Sequence, residues 1–262
     1  MQPGRISYKA CPLCGEEAIV DLFEVDCSGH PLYRPGLPST IAWCRCHRCS
    51  HIFADGYFNQ AANDLLFSIS LPDQVPGYDA ENQRSVWAPV VERVTHFAGE
   101  PTGRWMDVGF GNGSLIFTAG EWGYDTLGID LRPASIERMR ELGYETRCCD
   151  IGDIHEPGTF QVISLADVIE HLPFPATAIA QAANLLRPDG ILFVSTPNFD
   201  TAAWKTMDAL QNNCYWVELE HFHCFNRARL YSLLREHGFE PLHYAVGSRY
   251  RSGMDVVARK RT

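Results

Sequence analysis

Long apolar runs are missing from this 262-residue sequence; its most hydrophobic stretches, at 160–166 and 191–194, are only strand-sized. A membrane-spanning helix is therefore not expected. The first ten residues carry no apolar segment of the kind a secretory leader needs, so cytoplasmic residence is the expectation. Basic residues are scarce as well, with 22 Lys and Arg against 32 Asp and Glu and a formal charge of −10. Binders of nucleic acid draw most of their affinity from counterions released at phosphates, so this balance disfavours a nucleic-acid partner. Arg45 and Arg48 form only a thin basic patch. Internal repeats and low-complexity tracts are absent too, so a repeat architecture is not expected. Nothing in the sequence specifies an oligomeric state.

Cysteine, by contrast, is plentiful and unevenly placed. Of ten, six fall in the first 49 residues: Cys11, Cys14, Cys27, Cys44, Cys46 and Cys49. In a reducing compartment such crowding points to metal rather than to disulfides. Cys11-Pro-Leu-Cys14-Gly and Cys46-His-Arg-Cys49 are two knuckles that together supply four thiolates, the closed tetrahedral set of a structural zinc site. Cys27, Cys44, His30, His47 and His51 stand close enough in sequence to substitute for one of them. Neither pair sits in the strand–helix context of a thioredoxin-like redox motif. Residues 1–56, with short strands expected near 18–25 and 37–43, form a zinc-ribbon-like module too small to hold a core without such a staple. Its role is left open between a brace, a lid and a recognition surface.

Residues 57–80, punctuated by Leu71-Pro72 and Val75-Pro76-Gly77, read as a linker or lid with one short helix. Regular alternation starts at 81. Val86, Val90, Val91, Val94 and Phe97 recur at helical spacing up to Gly99, with Pro89 predicting a kink or a late start. Strands are expected at 104–108, 126–129, 145–149, 160–165 and 191–195. Helices are expected at 114–122, 133–142, 176–186 and 227–237. Residues 240–246 and 254–259 close the chain as a pair. Alternating elements with near-continuous apolar strands mean an α/β domain over 81–262, Rossmann-like, with a mostly parallel seven-stranded sheet and an antiparallel C-terminal hairpin.

The most informative segment is Asp107-Val108-Gly109-Phe110-Gly111-Asn112-Gly113-Ser114. It joins a strand to a helix through glycines that let the backbone turn and approach a ligand. Its spacing departs from the dinucleotide fingerprint, because the third glycine is misplaced. Asp130 ends the next strand, where a carboxylate can accept from both hydroxyls of a ribose. The Asp-x-Gly-x-Gly-x-Gly pattern resembles the first motif of class I S-adenosylmethionine-dependent methyltransferases. So do Cys148-Cys149-Asp150-Ile151, the run Leu165-Ala166-Asp167-Val168-Ile169-Glu170-His171-Leu172, and the turn 185–192. The resemblance covers about 81–262 and is nearest to the small-molecule methyltransferases that include those of ubiquinone biosynthesis. It implies a cofactor site at Asp107, Gly109, Gly111, Gly113, Asp130, Asp150, Ile151 and Ala166, with Asp150 at the adenine amino group and the Ile151 amide at the ring edge. The implied cofactor is S-adenosylmethionine, with Zn²⁺ as a structural ion on Cys11, Cys14, Cys46 and Cys49.

Methyl transfer is an in-line displacement at a sulfonium, so alignment carries most of the catalysis and a hydroxyl acceptor needs a base besides. His171, just past a strand end, is the leading base candidate, with helix capping as the equally weighted plain role. His221 and His223 alternate with Phe222 and would share one face of an extended segment, as acceptor-pocket wall or, with Glu218, Glu220 and Cys224, as metal ligands. Tyr78, Trp204, Tyr215 and Trp216 are candidate pocket aromatics, with core packing at least as expected for each. The expected function is methyl transfer to a small-molecule acceptor, a sugar or natural-product intermediate, with oxygen favoured. RNA or protein methylation guided by the zinc module, as the cysteine elements of some ribosomal RNA methyltransferases suggest, is one alternative. A non-catalytic cofactor-binding scaffold is another.

Overall fold

The computed structural model describes residues 2–261. The chain opens with five short strands, β1 (Arg5–Ser7), β2 (Ile19–Asp26), β3 (Thr40–Cys46), β4 (Ile52–Ala54) and β5 (Gly56–Phe58). β2, β3 and β4 form an antiparallel ladder and β1 pairs with β5. β3 begins at Thr40 rather than at residue 37, because Pro38 has no amide to offer a ladder. The boundary expected at 56 falls inside β5, and Asn59 just beyond it both donates to and accepts from the Gly4 backbone side of the module. Asn59 also caps α1 (Gln60–Phe67) by accepting from the Ala62 amide at 3.0 Å.

Helix α2 (Ala80–Ala98) runs without a break through Pro89. The ring removes one backbone hydrogen bond, yet Trp87, Val90, Val91 and Val94 on either side are all buried against the sheet and hold both halves in line. Strand and helix then alternate as β6 (Arg104–Val108), α3 (Ser114–Glu121), β7 (Asp125–Asp130), α4 (Pro133–Glu141), β8 (Glu145–Cys148), β9 (Phe160–Ala166), α5 (Pro175–Leu185) and β10 (Leu186–Pro197). After them come α6 (Ala202–Ala209), β11 (His223–Cys224), α7 (Arg227–Glu236), β12 (Phe239–Val246) and β13 (Gly253–Lys260).

Seven strands make one sheet in the order β12-β13-β10-β9-β6-β7-β8. The pairs from β10 to β8 are parallel, and β13 runs antiparallel to both its neighbours, as the expected C-terminal hairpin requires. Alternate residues of the buried strands face opposite layers. Ile163, Leu165, Leu192 and Val194 pack with Ile179 and Ala182 of α5 and Leu230 and Leu233 of α7. Trp105, Val162, Ile191 and Phe193 pack with Val90 and Val94 of α2 and Leu115 and Ala119 of α3.

Five elements have no counterpart in the sequence reading: β1, β4, β5, α6 and β11. β11 joins the N-terminal ladder through His223 opposite Phe53 and Cys224 opposite Ile52, giving a four-stranded sheet β11-β4-β3-β2 built from both ends of the chain. Its core mixes Ile41, Trp43 and Phe58 with Trp204, Leu219 and Phe222. The Trp43 indole, fully buried, donates to the Trp216 carbonyl at 3.0 Å across that seam. Trp43→Ala should lower stability by about 3–5 kcal/mol, since both the buried ring and its hydrogen bond are lost. Denaturant unfolding measures it, and an unchanged midpoint would show that the two ends of the chain do not depend on each other.

Candidate active site

At the C-terminal ends of the parallel strands, where open α/β sheets bind ligands, lies a cavity of about 790 Å³. One end is formed by the turn after β6. Gly109, Gly111 and Gly113 take φ of +63°, +54° and +76°, conformations that side chains other than glycine rarely adopt. A Cβ on Gly109 would also come within 2.8 Å of Val168. The Gly109 amide donates to the Ile129 carbonyl at 2.7 Å, which fixes the turn against β7. Nothing lies within 4 Å of where a Cβ would stand on Gly111, so the backbone there is open to a ligand.

Asp130, at the end of β7, accepts from the Gly111 amide at 3.3 Å and the Arg132 amide at 2.8 Å. Burial raises its pKa, against the pull of the Arg132 guanidinium. Asp150 caps the short turn after β8 by accepting from Gly152 and lines the same cavity, as does Ala166 at the end of β9. Ile151 is buried and faces a smaller neighbouring groove that it shares with Asp150. Gly113 is the N-cap of α3 and does not line the cavity. Asp107 departs from expectation. It sits inside the sheet, 2% exposed and off the cavity wall, where it accepts from the Ser164 hydroxyl. Burial pushes its pKa up to about 7 despite that hydrogen bond.

The same cavity is lined by Glu170, His171 and His221. Glu170 is buried and accepts from the Thr196 hydroxyl at 2.9 Å; burial pushes its pKa up to about 7. His171 is half-buried; its Nδ1 bonds the Glu220 carbonyl at 3.0 Å, which makes Nδ1 the protonated nitrogen and leaves Nε2 with a lone pair directed at the cluster. Burial lowers its pKa, but the Glu170 and Glu220 carboxylates outweigh that and raise it. His221 packs edge-on to His171 with ring centroids 4.8 Å apart, and burial holds its pKa down to about 3.

His223 does not share this position. It is 1% exposed, lies off the cavity wall, donates from Nε2 to the Leu172 carbonyl at 2.9 Å and pairs through Nδ1 with His51 at 3.0 Å. Pairing with β4 spends it on the seam between the two sheets, so the histidine expected beside His221 in the acceptor-pocket wall is a structural one. Tyr215 alone of the four candidate aromatics lines the cavity. Trp204 and Trp216 pack in the core around Trp43, and Tyr78 is 44% exposed beside the glycine turn.

Several further residues reach the cavity wall in places the sequence did not indicate. His30 of the N-terminal module reaches across to Glu218, with Nε2 2.5 Å from Oε1. Arg249 and Tyr250 arrive from the turn between β12 and β13, and Asp167, at φ +55°, faces Arg249 at 3.8 Å. Asn112 donates to the Asp73 carbonyl and tethers the 71–78 segment to the glycine turn.

Beside the cavity the four expected cysteines meet. Cys11 Sγ lies 3.7 Å from Cys49 Sγ and Cys14 Sγ 3.5 Å from Cys46 Sγ, and all four sulfurs fall within 4.8 Å of one another. A tetrahedral zinc–thiolate site, with bonds of about 2.3 Å, places its sulfurs about 3.8 Å apart, so the donor set fits that ion. Four of the five nearby substitutes are used elsewhere: the Cys44 thiol faces Asp21, Cys27 bonds the Ser39 carbonyl, His30 holds Glu218 and His51 holds His223.

Asp107 gives the site a measurable pH signature. Its folded pKa lies above the value of about 4 expected in the unfolded chain. Between about pH 4 and that raised value the native state keeps a proton the unfolded chain has released, so stability falls as pH rises. In Asp107→Asn the ligand-free protein should lose less stability across that window than the parent; parallel losses by denaturant unfolding would contradict the assignment.

Comparison with known proteins agrees with this geometry. A family profile described as a methyltransferase domain matches residues 79–244, more than half of the chain. The ubiquinone biosynthesis O-methyltransferase of Burkholderia multivorans is 32% identical over 131 residues, 47% of this chain and 54% of that protein. The chain thus spans about half the length of the curated relatives it matches. Among solved structures, Burkholderia thailandensis 1,6-didemethyltoxoflavin-N1-methyltransferase, with 1,6-didemethyltoxoflavin and S-adenosylhomocysteine bound, has a TM-score of 0.54 at 19% identity, covering 81% of this chain and 96% of that one. Magnesium protoporphyrin IX methyltransferase from Synechocystis PCC 6803 with bound SAM has a TM-score of 0.52 at 16% identity, covering 68% and 79%. Those two likenesses speak for the fold. The glycine turn, the acidic strand ends and the family match together place this protein in the family of S-adenosylmethionine-dependent methyltransferase domains.

Proposed function

We propose that this protein transfers the methyl group of S-adenosylmethionine to an oxygen of a small-molecule acceptor, a sugar or natural-product intermediate. The observation that carries this reading is that one cavity is lined both by the glycine turn, Asp130 and Asp150 and by Glu170, His171 and His221. The cofactor's ribose would be held by Asp130, with its adenine toward Asp150 and Ile151 and its methionine part along Gly109 and Gly111. Asp107 and Gly113 would support the turn from behind. The methyl group would then point toward Glu170, His171 and His221, which activate the acceptor oxygen. Enclosure between the two modules aligns acceptor and methyl and excludes water, the proximity effect that a displacement needs.

Residues 1–56 act on this reading as a zinc-stapled module, and 57–80 as a lid. Asp26, His30, Leu32, Leu66 and Leu71 from these two segments line the cavity. Zinc on Cys11, Cys14, Cys46 and Cys49 is structural: all four positions are filled by thiolates, with no place left for substrate. The net charge of −10 and a cavity shaped for a compact ligand support a small acceptor over nucleic acid. Among the described residues no helix is long and apolar enough to cross a membrane.

Asp130→Ala should weaken S-adenosylmethionine binding by about 10- to 100-fold, the scale of a lost hydrogen bond to a charged group. Titration calorimetry reads this, and unaltered affinity would remove Asp130 from the cofactor site. Cys46→Ser should reduce bound zinc from one ion per chain by elemental analysis and lower the melting temperature. Parent protein purified without zinc would refute the four-cysteine site.

A further inference from the structure

Glu170 and His171 sit on a short turn between β9 and α5, and the chain leaves that turn through Leu172 and Pro173, which also line the cavity. Both of those carbonyls are held by side chains from distant parts of the chain. The Leu172 carbonyl accepts from His223 Nε2 at 2.9 Å, and the Pro173 carbonyl accepts from the Tyr8 hydroxyl at 2.7 Å. Because His223 donates through Nε2, its Nδ1 carries the lone pair and accepts from His51 Nε2 at 3.0 Å. A strut of two imidazoles thus runs from His51 to Leu172, and a phenol reaches from Tyr8 to Pro173.

The two anchors flank the two cysteine knuckles. Tyr8 stands three residues before Cys11, and His51 two residues after Cys49. The Cys46 amide donates to the His51 carbonyl at 2.9 Å, which joins that knuckle to the first imidazole. Tyr8 and His51 both pack on the Phe53 ring, with centroids 5.8 and 6.0 Å away. Docking of the two ends of the chain does not need these side-chain bonds, since the ladder of β4 with β11 is made by backbone over an apolar core. The strut also has a cost. His51 Nδ1 is buried without a hydrogen-bond partner, whereas a leucine there would leave no polar atom stranded. What the imidazoles add over apolar packing is direction, a hydrogen bond aimed at the carbonyl that follows His171.

We propose that the four-cysteine site is a clamp on the active-site turn, in which Tyr8, His51 and His223 are positioning residues that carry the placement of the two knuckles to Glu170 and His171. With Cys11 and Cys14 joined to Cys46 and Cys49 through zinc, Tyr8 and His51 keep a fixed separation and hold Pro173 and Leu172 together. Without the ion each anchor moves alone, and the turn is released. This inference rests on the zinc and methyl-transfer readings above and adds the connection between them.

The test is hydrogen exchange read by mass spectrometry on the full chain, with zinc bound and after its removal by a chelator. Two amides report on the turn: His171, which donates to the Val168 carbonyl, and Phe222, which donates to the Glu170 carbonyl. Zinc removal should speed exchange at 168–172 and at Phe222 by roughly tenfold or more and leave the strands at 104–108 and 125–130 as they were. In the zinc-loaded protein, Tyr8→Phe and His51→Leu should each speed exchange at the turn about three- to tenfold, the scale of one lost hydrogen bond. Both should keep their zinc and bind S-adenosylhomocysteine as the parent does, which also shows that they are folded. His51→Gln, whose amide nitrogen replaces Nε2 as donor, should exchange like the parent. NMR of the His171 ring nitrogens should show a single Nδ1–H tautomer in the parent and a mixture of tautomers in Tyr8→Phe and His51→Leu. Exchange at the turn that ignores zinc removal, or ignores both substitutions, would overturn the clamp. So would an equal rise in the strands at 104–108 and 125–130, which would be general loosening, and so would a parent protein that holds no zinc. Failure to bind S-adenosylhomocysteine, with exchange at the turn behaving as stated, would overturn only the methyl-transfer reading.

Discussion

The site depends first on where the backbone can turn after Val108. Three glycines at positive φ reverse the chain between β6 and α3 and bring the Gly111 amide to Asp130 at the end of β7. A side chain at Gly109 would strike Val168, which belongs to the segment that leads into Glu170 and His171. The turn therefore acts twice: it opens the crevice at the strand ends and fixes how closely the 166–172 segment can approach. Asp107 supports it from inside the sheet, held by Ser164, which in turn accepts from the Trp105 indole.

The second constraint is the seam between the two ends of the chain. Only two residues of β11 pair with β4, but they carry the 214–222 segment onto the N-terminal module and place Glu218, Glu220 and His221 along the cavity. The module contributes its own wall through His30 and the 26–32 turn. It is thus built into the wall of the cavity, with the four-cysteine cluster in the same small sheet. The buried His51–His223 pair, both imidazoles kept neutral by burial, ties that knuckle to the Leu172 carbonyl beside the proposed active-site residues. Charge in the cavity also fits the proposed chemistry. Asp26, Asp73, Asp130, Asp150, Asp167, Glu170, Glu218 and Glu220 line it with Arg132, Arg249, His30 and His171, an acidic excess that would welcome a sulfonium cation and hold its neutral product less firmly.

Much of this was legible in the sequence because local rules decided it. Apolar runs of strand length, helices between them and the glycine spacing gave the seven-stranded sheet, its reversed last strand and the crevice at Gly109–Asp130. The paired cysteines met as expected, since two short knuckles on a strand pair leave few other ways to converge. What escaped depends on contacts between distant segments. β11 is two residues long and has no pattern of its own; it exists because β4 offers a free edge. The alternation of His221, Phe222 and His223 suggested one shared face, whereas pairing with β4 spends His223 on the seam and leaves only His221 in the cavity. Pro89 signalled a break that burial on both sides of it overrides. Asp107 looked like a ligand contact because it precedes the glycines, yet its direction is set by the pleat of β6, which turns it into the sheet. Arg249, in a turn without a motif, carried no signal.

The central claim is a spatial one, that an adenosyl sulfonium fills the crevice between the glycine turn and the two strand-end carboxylates. A crystal structure of the protein with S-adenosylhomocysteine measures it directly. The account predicts the ribose hydroxyls on Asp130, the adenine beside Asp150 and Ile151, and the sulfur turned toward Glu170, His171 and His221. Density for the ligand in another cavity, or a crevice that stays empty at saturating concentration, would contradict it.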